Sequence, residues 1–269
     1  MKNPVLKIQD FCFMRQGKIL QDLTSEEANL LQSVTIKTDA NENALLMLHG
    51  FGSSPAVYRY MLPHLSTSYD ALFCPLLPGH GYNIENFRNV RATDWLSYVE
   101  HIYDELSVQY KNIDVLGLSL GGLLACHLAQ TKNVRHVYLL APALALKTIP
   151  VITYPLIQAL IYLQIKQIPN RGGNILNKTH GELTFRQLPM TSIREIFQLV
   201  RTFKLQPFTA RTTIFLGGED SVIDNHKVLN LIKTLPHGDI HWLENSAHVL
   251  PLDNDVHTMI DKIQHTLTF

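Results

Sequence analysis

Residues 117–122 read GLSLGG and place a serine between two glycines. The apolar run at residues 113–116 predicts a strand before this turn, and residues 123–129 predict the start of a helix after it. A serine at such a strand-to-helix turn forms a nucleophile elbow, with an exposed hydroxyl and a helix N-terminus that favours negative charge. The pattern indicates attack of Ser119 on an acyl carbon. The pattern alone is a weak signal, because an ordinary serine in a glycine-rich turn has the same sequence pattern.

A serine hydroxyl needs a base within hydrogen-bonding reach. The chain has 13 histidines, and His248 lies on the loop after a strand predicted at residues 239–243. That position favours His248 as the base. Four competitors lie before or within that strand, or in the predicted final helix: His237, His241, His257 and His265.

The base in turn needs an acid that orients its ring. Asp220 follows a strand predicted at residues 212–216, while the neighbouring Glu219 and Asp224 compete for the role. Asp220 is favoured because it lies at the exit of the strand, and Asp224 is expected to cap the next helix. The chain order serine, aspartate, histidine is the one that a nucleophile elbow of this type requires.

Acyl transfer passes through a tetrahedral oxyanion, which two backbone N–H groups must stabilise. Leu120, the residue after the serine, is expected to supply one. The second is expected from the loop HGFG at residues 49–52, with Phe51 as the preferred donor, because this loop follows an apolar strand at residues 44–48. The alternative for this loop is a plain turn that ends the strand.

The predicted strands and helices alternate up to Pro142, which indicates an α/β fold with a mostly parallel, doubly wound sheet and helices on both faces. The alternation resumes near Thr212, and a gap of about 65 residues is too long for an ordinary loop. We therefore expect a core of residues 1–141 and 206–269 with a helical lid inserted at residues 142–205. Its apolar surface either packs on the core or forms a substrate channel.

Composition limits the remaining possibilities. The 269 residues are 46% hydrophobic and 17% charged, with 23 basic and 23 acidic residues, so we expect one compact core and no nucleic-acid partner. Three widely spaced cysteines and the lack of an apolar leader favour a cytoplasmic protein. No metal-ligand spacing or phosphate-binding loop is found, so we expect neither a metal nor a cofactor.

Several motifs together resemble the small bacterial carboxylesterases and monoacylglycerol lipases of the α/β-hydrolase superfamily. The motifs are LHGFGSSP at 48–55, PLLPGHG at 75–81, DW at 94–95, the elbow, GED at 218–220 and SAH at 246–248. The resemblance begins near residue 44 and reaches the C-terminus. The first 43 residues are longer than this family's usual lead-in, and Ala247 stands where glycine is common.

The resemblance implies an eight-stranded sheet, a mobile lid and hydrolysis of short- to medium-chain acyl esters or monoacylglycerols. It implies a nucleophile at Ser119, an acid at Asp220, a base at His248 and oxyanion donors at Phe51 and Leu120. It also implies a small acyl ester as substrate, with transient contact between the lid and a lipid surface. A thioesterase or acyltransferase with the same triad, or a non-catalytic ligand-binding module, are the alternatives.

Overall fold

The computed structural model describes residues 5–148, 150–233, 235 and 238–266. The strands are β1 (Phe11–Arg15), β2 (Lys18–Asp22), β3 (Val34–Lys37), β4 (Asn43–Leu48), β5 (Ala71–Cys74), β6 (Asn112–Leu118), β7 (His136–Leu140), β8 (Gln167–Pro169), β9 (Glu182–Phe185), β10 (Gln187–Pro189), β11 (Arg211–Gly217) and β12 (Gly238–Leu243). The α-helices are α1 (Leu62–Leu65), α2 (Ile84–Asn89), α3 (Ala92–Gln109), α4 (Leu120–Thr131), α5 (Pro150–Tyr162), α6 (Met190–Thr202), α7 (Asn225–Ile232) and α8 (Val256–His265).

The central sheet has the order β12-β11-β7-β6-β4-β5-β3. Its strands pair in parallel except for β3, which runs antiparallel to β5 at the edge. The mostly parallel sheet that the alternation predicts is confirmed. The expectation of eight strands is wrong for the described residues, where the sheet has seven.

The first strand of the described residues does not join the central sheet. It is β1, which pairs antiparallel with both β2 and β9 in a separate three-stranded sheet. The Phe11 ring packs on Phe185 of β9 with 4.3 Å between centroids, and Met14 is buried. Apolar burial against β9 thus ties the N-terminal residues to a segment far along the chain.

The core lies around the middle strands. The residues of β4 from Ala44 to Leu48 are completely buried, as expected for a strand covered on both faces. Helix α3 buries Trp95, Val99 and Leu106, and α4 is buried along most of its length. These contacts hold the carboxyl ends of β4 and β6 against each other, and both loops that are expected to carry chemistry begin there.

The chain after Ser54 does not form one continuous helix. Pro55–Tyr58 forms a 3₁₀ turn, and the short α1 follows it. Pro63 lacks an N–H, so it cannot continue a helical hydrogen-bond ladder from residue 59. The Ser54 side chain makes no capping bond and instead donates to the carbonyl of Leu183 at 3.4 Å.

The residues between β7 and β11, here called the insert, hold α5 and α6 together with β8, β9 and β10. The insert is therefore not purely helical. Helix α6 buries Ile193 and Ile196, whereas α5 leaves Leu156 and Tyr162 exposed. None of the helices in the described part of the chain is both long enough and apolar enough to span a bilayer.

An ion pair with a buried carboxylate joins β6 to the residue that precedes β7. Asp114 of β6 is fully buried and accepts hydrogen bonds from Arg135 Nε at 2.8 Å, Arg135 Nη2 at 2.6 Å and the Tyr69 hydroxyl at 2.8 Å. Removing one partner of such a pair leaves the other charge without compensation. Asp114 therefore stabilises the sheet at the end opposite the elbow.

We expect Asp114→Asn to lower the free energy of unfolding by about 2 kcal/mol, because the half-buried Arg135 then loses its counterion and its charge-assisted hydrogen bonds. Urea unfolding followed by circular dichroism measures this loss. Asp104→Asn is the matched control, since its pair with Lys132 lies on the surface and contributes at most about 1 kcal/mol. Equal unfolding midpoints for Asp114→Asn and the wild type would contradict the prediction.

Candidate active site

The turn between β6 and α4 holds Ser119 in a strained backbone conformation, with φ 54° and ψ −111°. A Cβ on Gly117 would lie 2.1 Å from the carbonyl oxygen of Gly121, and a Cβ on Gly121 would lie 1.9 Å from that of Leu48. No larger residue fits either position. The two glycines therefore allow a turn so tight that the Ser119 side chain remains partly exposed above the sheet.

Asp220 and His248 meet across the loops that follow β11 and β12. The Asp220 Oδ2 atom lies 2.8 Å from His248 Nδ1, and both side chains are buried. The other carboxylate oxygen, Oδ1, accepts the N–H groups of Val222 at 2.7 Å and Ile223 at 2.9 Å. Donation from Nδ1 to the carboxylate leaves Nε2 as the acceptor on the imidazole ring, which is the tautomer that a general base needs.

Burial alone would lower the pKa of His248, but the carboxylate of Asp220, with a smaller effect from Glu182, raises it above its ordinary value. Burial opposes ionisation of Asp220, yet the charge and hydrogen bond of His248 keep the pKa of that carboxyl low. The pair therefore favours a charged imidazolium facing an ionised carboxylate, the state that follows proton uptake by the ring.

Residues from several separate loops line one cavity of about 900 Å³. Ser119 and His248 both line it, and so do Gly50 and Phe51 of the loop after β4. The insert supplies most of the apolar wall, through Leu156, Ile157, Leu160, Leu188, Met190, Ile193, Ile196 and Phe197. The elbow serine and the aspartate-bound histidine thus face one largely apolar chamber.

The backbone N–H groups of Phe51 and Leu120 donate to no group within the described ranges. The next N–H, that of Gly52, donates to His80 Nε2 at 3.0 Å, and His80 Nδ1 contacts the carbonyl of Pro78 at 3.0 Å. Burial lowers the pKa of His80 to about 4, so the ring stays neutral and keeps Nε2 as an acceptor. His80 thereby holds the loop, a role that the GHG motif alone did not reveal.

The competing titratable residues lie elsewhere. Asp224 caps α7 by accepting the N–H of Lys227, as predicted, and Glu219 is exposed. His241 stacks on Phe215 within the sheet. His257 and His265 belong to α8, and His237 falls outside the described residues.

Sequence reasoning missed one acidic residue of the cavity, Glu182 of β9. Its side chain is only 7% exposed and accepts the N–H of Gly173 at 2.9 Å. Burial raises the pKa of this carboxyl, while Ser53, Gly173 and His248 partly oppose the shift. No local signal marks Glu182, because it belongs to a short insert strand whose position depends on pairing with β1.

A metal site is not evident in the part of the chain that the structure describes, where no three His, Cys, Asp or Glu side chains are grouped to hold an ion.

Two bacterial enzymes are similar in sequence to most of this chain. A thermostable monoacylglycerol lipase from Bacillus sp. (strain H-257) is 27% identical over 222 residues, which cover 81% of this chain and 87% of that protein. A carboxylesterase from Bacillus subtilis (strain 168) is 22% identical over 234 residues, which cover 82% of this chain and 94% of that protein.

Among solved structures, one from a study of the metagenome-derived lipolytic enzymes LipS and LipT has a TM-score of 0.79 at 21% identity, over 89% of this chain and 98% of that one. The monoacylglycerol lipase of Paleococcus ferrophilus has a TM-score of 0.70 at 16% identity, over 88% and 98% of the two chains. At these identities the structures establish the shared fold. The model of the alpha/beta hydrolase family matches residues 45–261, and the chain therefore belongs to that family.

Proposed function

We propose that the protein is a serine hydrolase that cleaves carboxylic esters of short- to medium-chain acyl groups or monoacylglycerols. The observation that carries this proposal is that His248, which is hydrogen-bonded to Asp220, lines the same cavity as the strained Ser119. The relatives named as esterase and monoacylglycerol lipase support the same reaction class.

In the proposed mechanism the Ser119 hydroxyl attacks the ester carbonyl carbon while His248 Nε2 takes its proton. The carbonyl π electrons move to oxygen, and the N–H groups of Phe51 and Leu120 stabilise that oxyanion. The oxyanion then re-forms the carbonyl, the bond to the alcohol breaks, and the imidazolium protonates the leaving alkoxide. Water attacks the acyl-enzyme by the same route, releases the acid and restores the Ser119 hydroxyl.

The insert supports an apolar acyl group in the substrate. Its two helices contribute apolar side chains to the cavity above Ser119, including Ile157 and Ile193. We propose that the insert at residues 142–205 acts as a lid that determines acyl-chain choice. The lipid contact of this lid stays a prediction, which the exposed Leu156, Tyr162 and Leu163 on α5 and just after it support.

We expect Ser119→Ala to lower hydrolysis of p-nitrophenyl butyrate by at least about 1,000-fold, because the acyl acceptor is lost. A fluorophosphonate probe should label the wild type and leave the variant unlabelled, with an unchanged circular dichroism spectrum. The exposed Ser107 provides the control, and Ser107→Ala should retain full activity. Undiminished turnover by folded Ser119→Ala would contradict the proposal.

We expect Ile157→Trp to shift the preferred p-nitrophenyl ester towards shorter acyl chains, because the larger ring fills part of the apolar cavity. Relative kcat/KM across a series of chain lengths measures the shift. Tyr162→Trp is the matched control on the same helix, since Tyr162 is 85% exposed and does not line the cavity. An identical chain-length profile in Ile157→Trp, or best wild-type activity on charged acyl groups, would count against an acyl site there.

We expect Glu182→Gln to move the acidic limb of the pH–rate profile to lower pH. His248 must be neutral to accept a proton, and the Glu182 carboxylate raises the pKa of His248. Glutamine has the same shape but no charge, so His248 stays neutral to a lower pH. Glu195→Gln, which removes a carboxylate away from the cavity, should leave the limb in place; an unmoved limb in Glu182→Gln would refute the assigned coupling.

A further inference from the structure

One asparagine of the insert contacts both loops that carry the acid and the base. Asn174 Oδ1 accepts the N–H of Ser221 at 3.1 Å and the N–H of His248 at 3.2 Å. Its backbone carbonyl accepts the N–H groups of His248 at 3.0 Å and Val249 at 3.1 Å. Because backbone N–H groups only donate, the side-chain atom between them must be the amide oxygen.

These bonds lie beyond the end of the strand pairing, where the hydrogen bonds of the sheet no longer hold the two loops together. The parallel pairing of β11 with β12 ends at Gly217 and Leu243. Beyond it, the backbone bond from Glu219 N–H to the carbonyl of Ser246 at 3.1 Å joins the two loops directly. Asn174 adds a second link farther from the sheet, because its side chain bonds to Ser221, the residue after Asp220, and to His248.

Asn174 is itself held from the N-terminal side. The N–H groups of Gln16 and Gly17, between β1 and β2, donate to the carbonyls of Gly173 and Gly172. A Cβ on Gly173 would lie 2.5 Å from the carbonyl oxygen of Met14, so this approach requires glycine. The hairpin thus fixes the backbone immediately before Asn174.

A second anchor lies just after Asn174. The carboxylate of Asp253, which is fully buried, accepts the N–H groups of Leu176 and Asn177 from the insert and of Ala247 from the base loop. The segment from residue 172 to residue 177 is therefore bonded to the hairpin at one end and to the base loop at the other. Within it, the Asn174 side chain is the group that reaches the acid loop.

We propose that Asn174 is a positioning residue that sets the distance between the acid and base loops, and so aligns Asp220 and His248 for proton transfer. This rests on the proposed function, since it assumes that the two residues act in catalysis. Asn174 acts through backbone N–H groups, so its loss misplaces the imidazole without changing any reacting atom. A displacement of about 1 Å at such a site costs on the order of 100-fold in rate.

The test compares Asn174→Leu, which keeps the shape but removes the acceptor, with Asn174→Asp, which keeps the acceptor. We expect Asn174→Leu to lower kcat for p-nitrophenyl butyrate by about 10- to 100-fold with KM nearly unchanged. The rate is normalised to sites that a fluorophosphonate titrates, so a loss of folded protein does not imitate the effect. Asn174→Asp should recover most of kcat at alkaline pH, with its acidic limb moved to higher pH by the added negative charge.

Asn177→Ala is the control in the same segment, because the Asn177 side chain caps a local turn and donates to Asn254 at 3.1 Å, but bonds to neither Asp220 nor His248. It should retain the wild-type kcat per titrated site. If Asn174→Leu does not fold, Asn174→Ala carries the same expectation. Wild-type kcat in folded Asn174→Leu or Asn174→Ala, or a raised KM at constant kcat, overturns the proposal.

The same experiment separates this inference from the proposed function. Activity in Ser119→Ala would overturn the function, whereas an inactive Ser119→Ala beside a fully active Asn174→Leu would overturn only the role of Asn174.

Discussion

The close approach of β4, β6 and α4 is the constraint on which the rest of the structure depends. At Gly121 a Cβ would lie 1.9 Å from the carbonyl oxygen of Leu48, so helix and strand meet at backbone contact. That contact sets Ser119 at a positive φ and places the loop after β4 beside it, where a Cβ on Gly50 would lie 3.5 Å from the Ser119 Cβ. Because this contact fixes the backbone of Ser119, the other residues of the proposed site must be placed near it by their own loops.

Burial lowers the pKa of both histidines near this serine, but the two histidines end in different states. At His80 burial outweighs the hydrogen bonds with Pro78 and Leu77, so the ring is a neutral acceptor that holds the loop of Phe51 in place. His248 is also buried, but Asp220 faces it at 2.8 Å and reverses the effect on its pKa. The same type of side chain is therefore kept neutral in one place and favoured in its charged form in the other, according to whether a carboxylate is adjacent.

Much of this arrangement could be predicted from local sequence. A few adjacent residues determine each of these features: the elbow, the loops at the ends of β11 and β12, and the cap at Asp224. Local sequence patterns are therefore enough to predict them. Glu182 and Asn174 were not predicted, because the position of Glu182 depends on β9 pairing with β1, about 170 residues earlier, and the backbone before Asn174 is bonded to the turn between β1 and β2. The short insert strands are likewise set by tertiary pairing, which overrides the helical appearance of the segment.

The pairing of β9 with β1 also divides the insert into two parts, which differ in how they contact the rest of the protein. Helix α5 exposes Leu156 and Tyr162, and Leu163 just after it is exposed as well. Residues 172–177, in contrast, are bonded to the β1–β2 hairpin, to Asp253 and to the base loop. A segment whose backbone is bonded to the loops after β11 and β12 cannot move without disturbing those loops. The N-terminal hairpin therefore holds residues 172–177 against the loops after β11 and β12, whereas α5 presents exposed apolar side chains to the solvent.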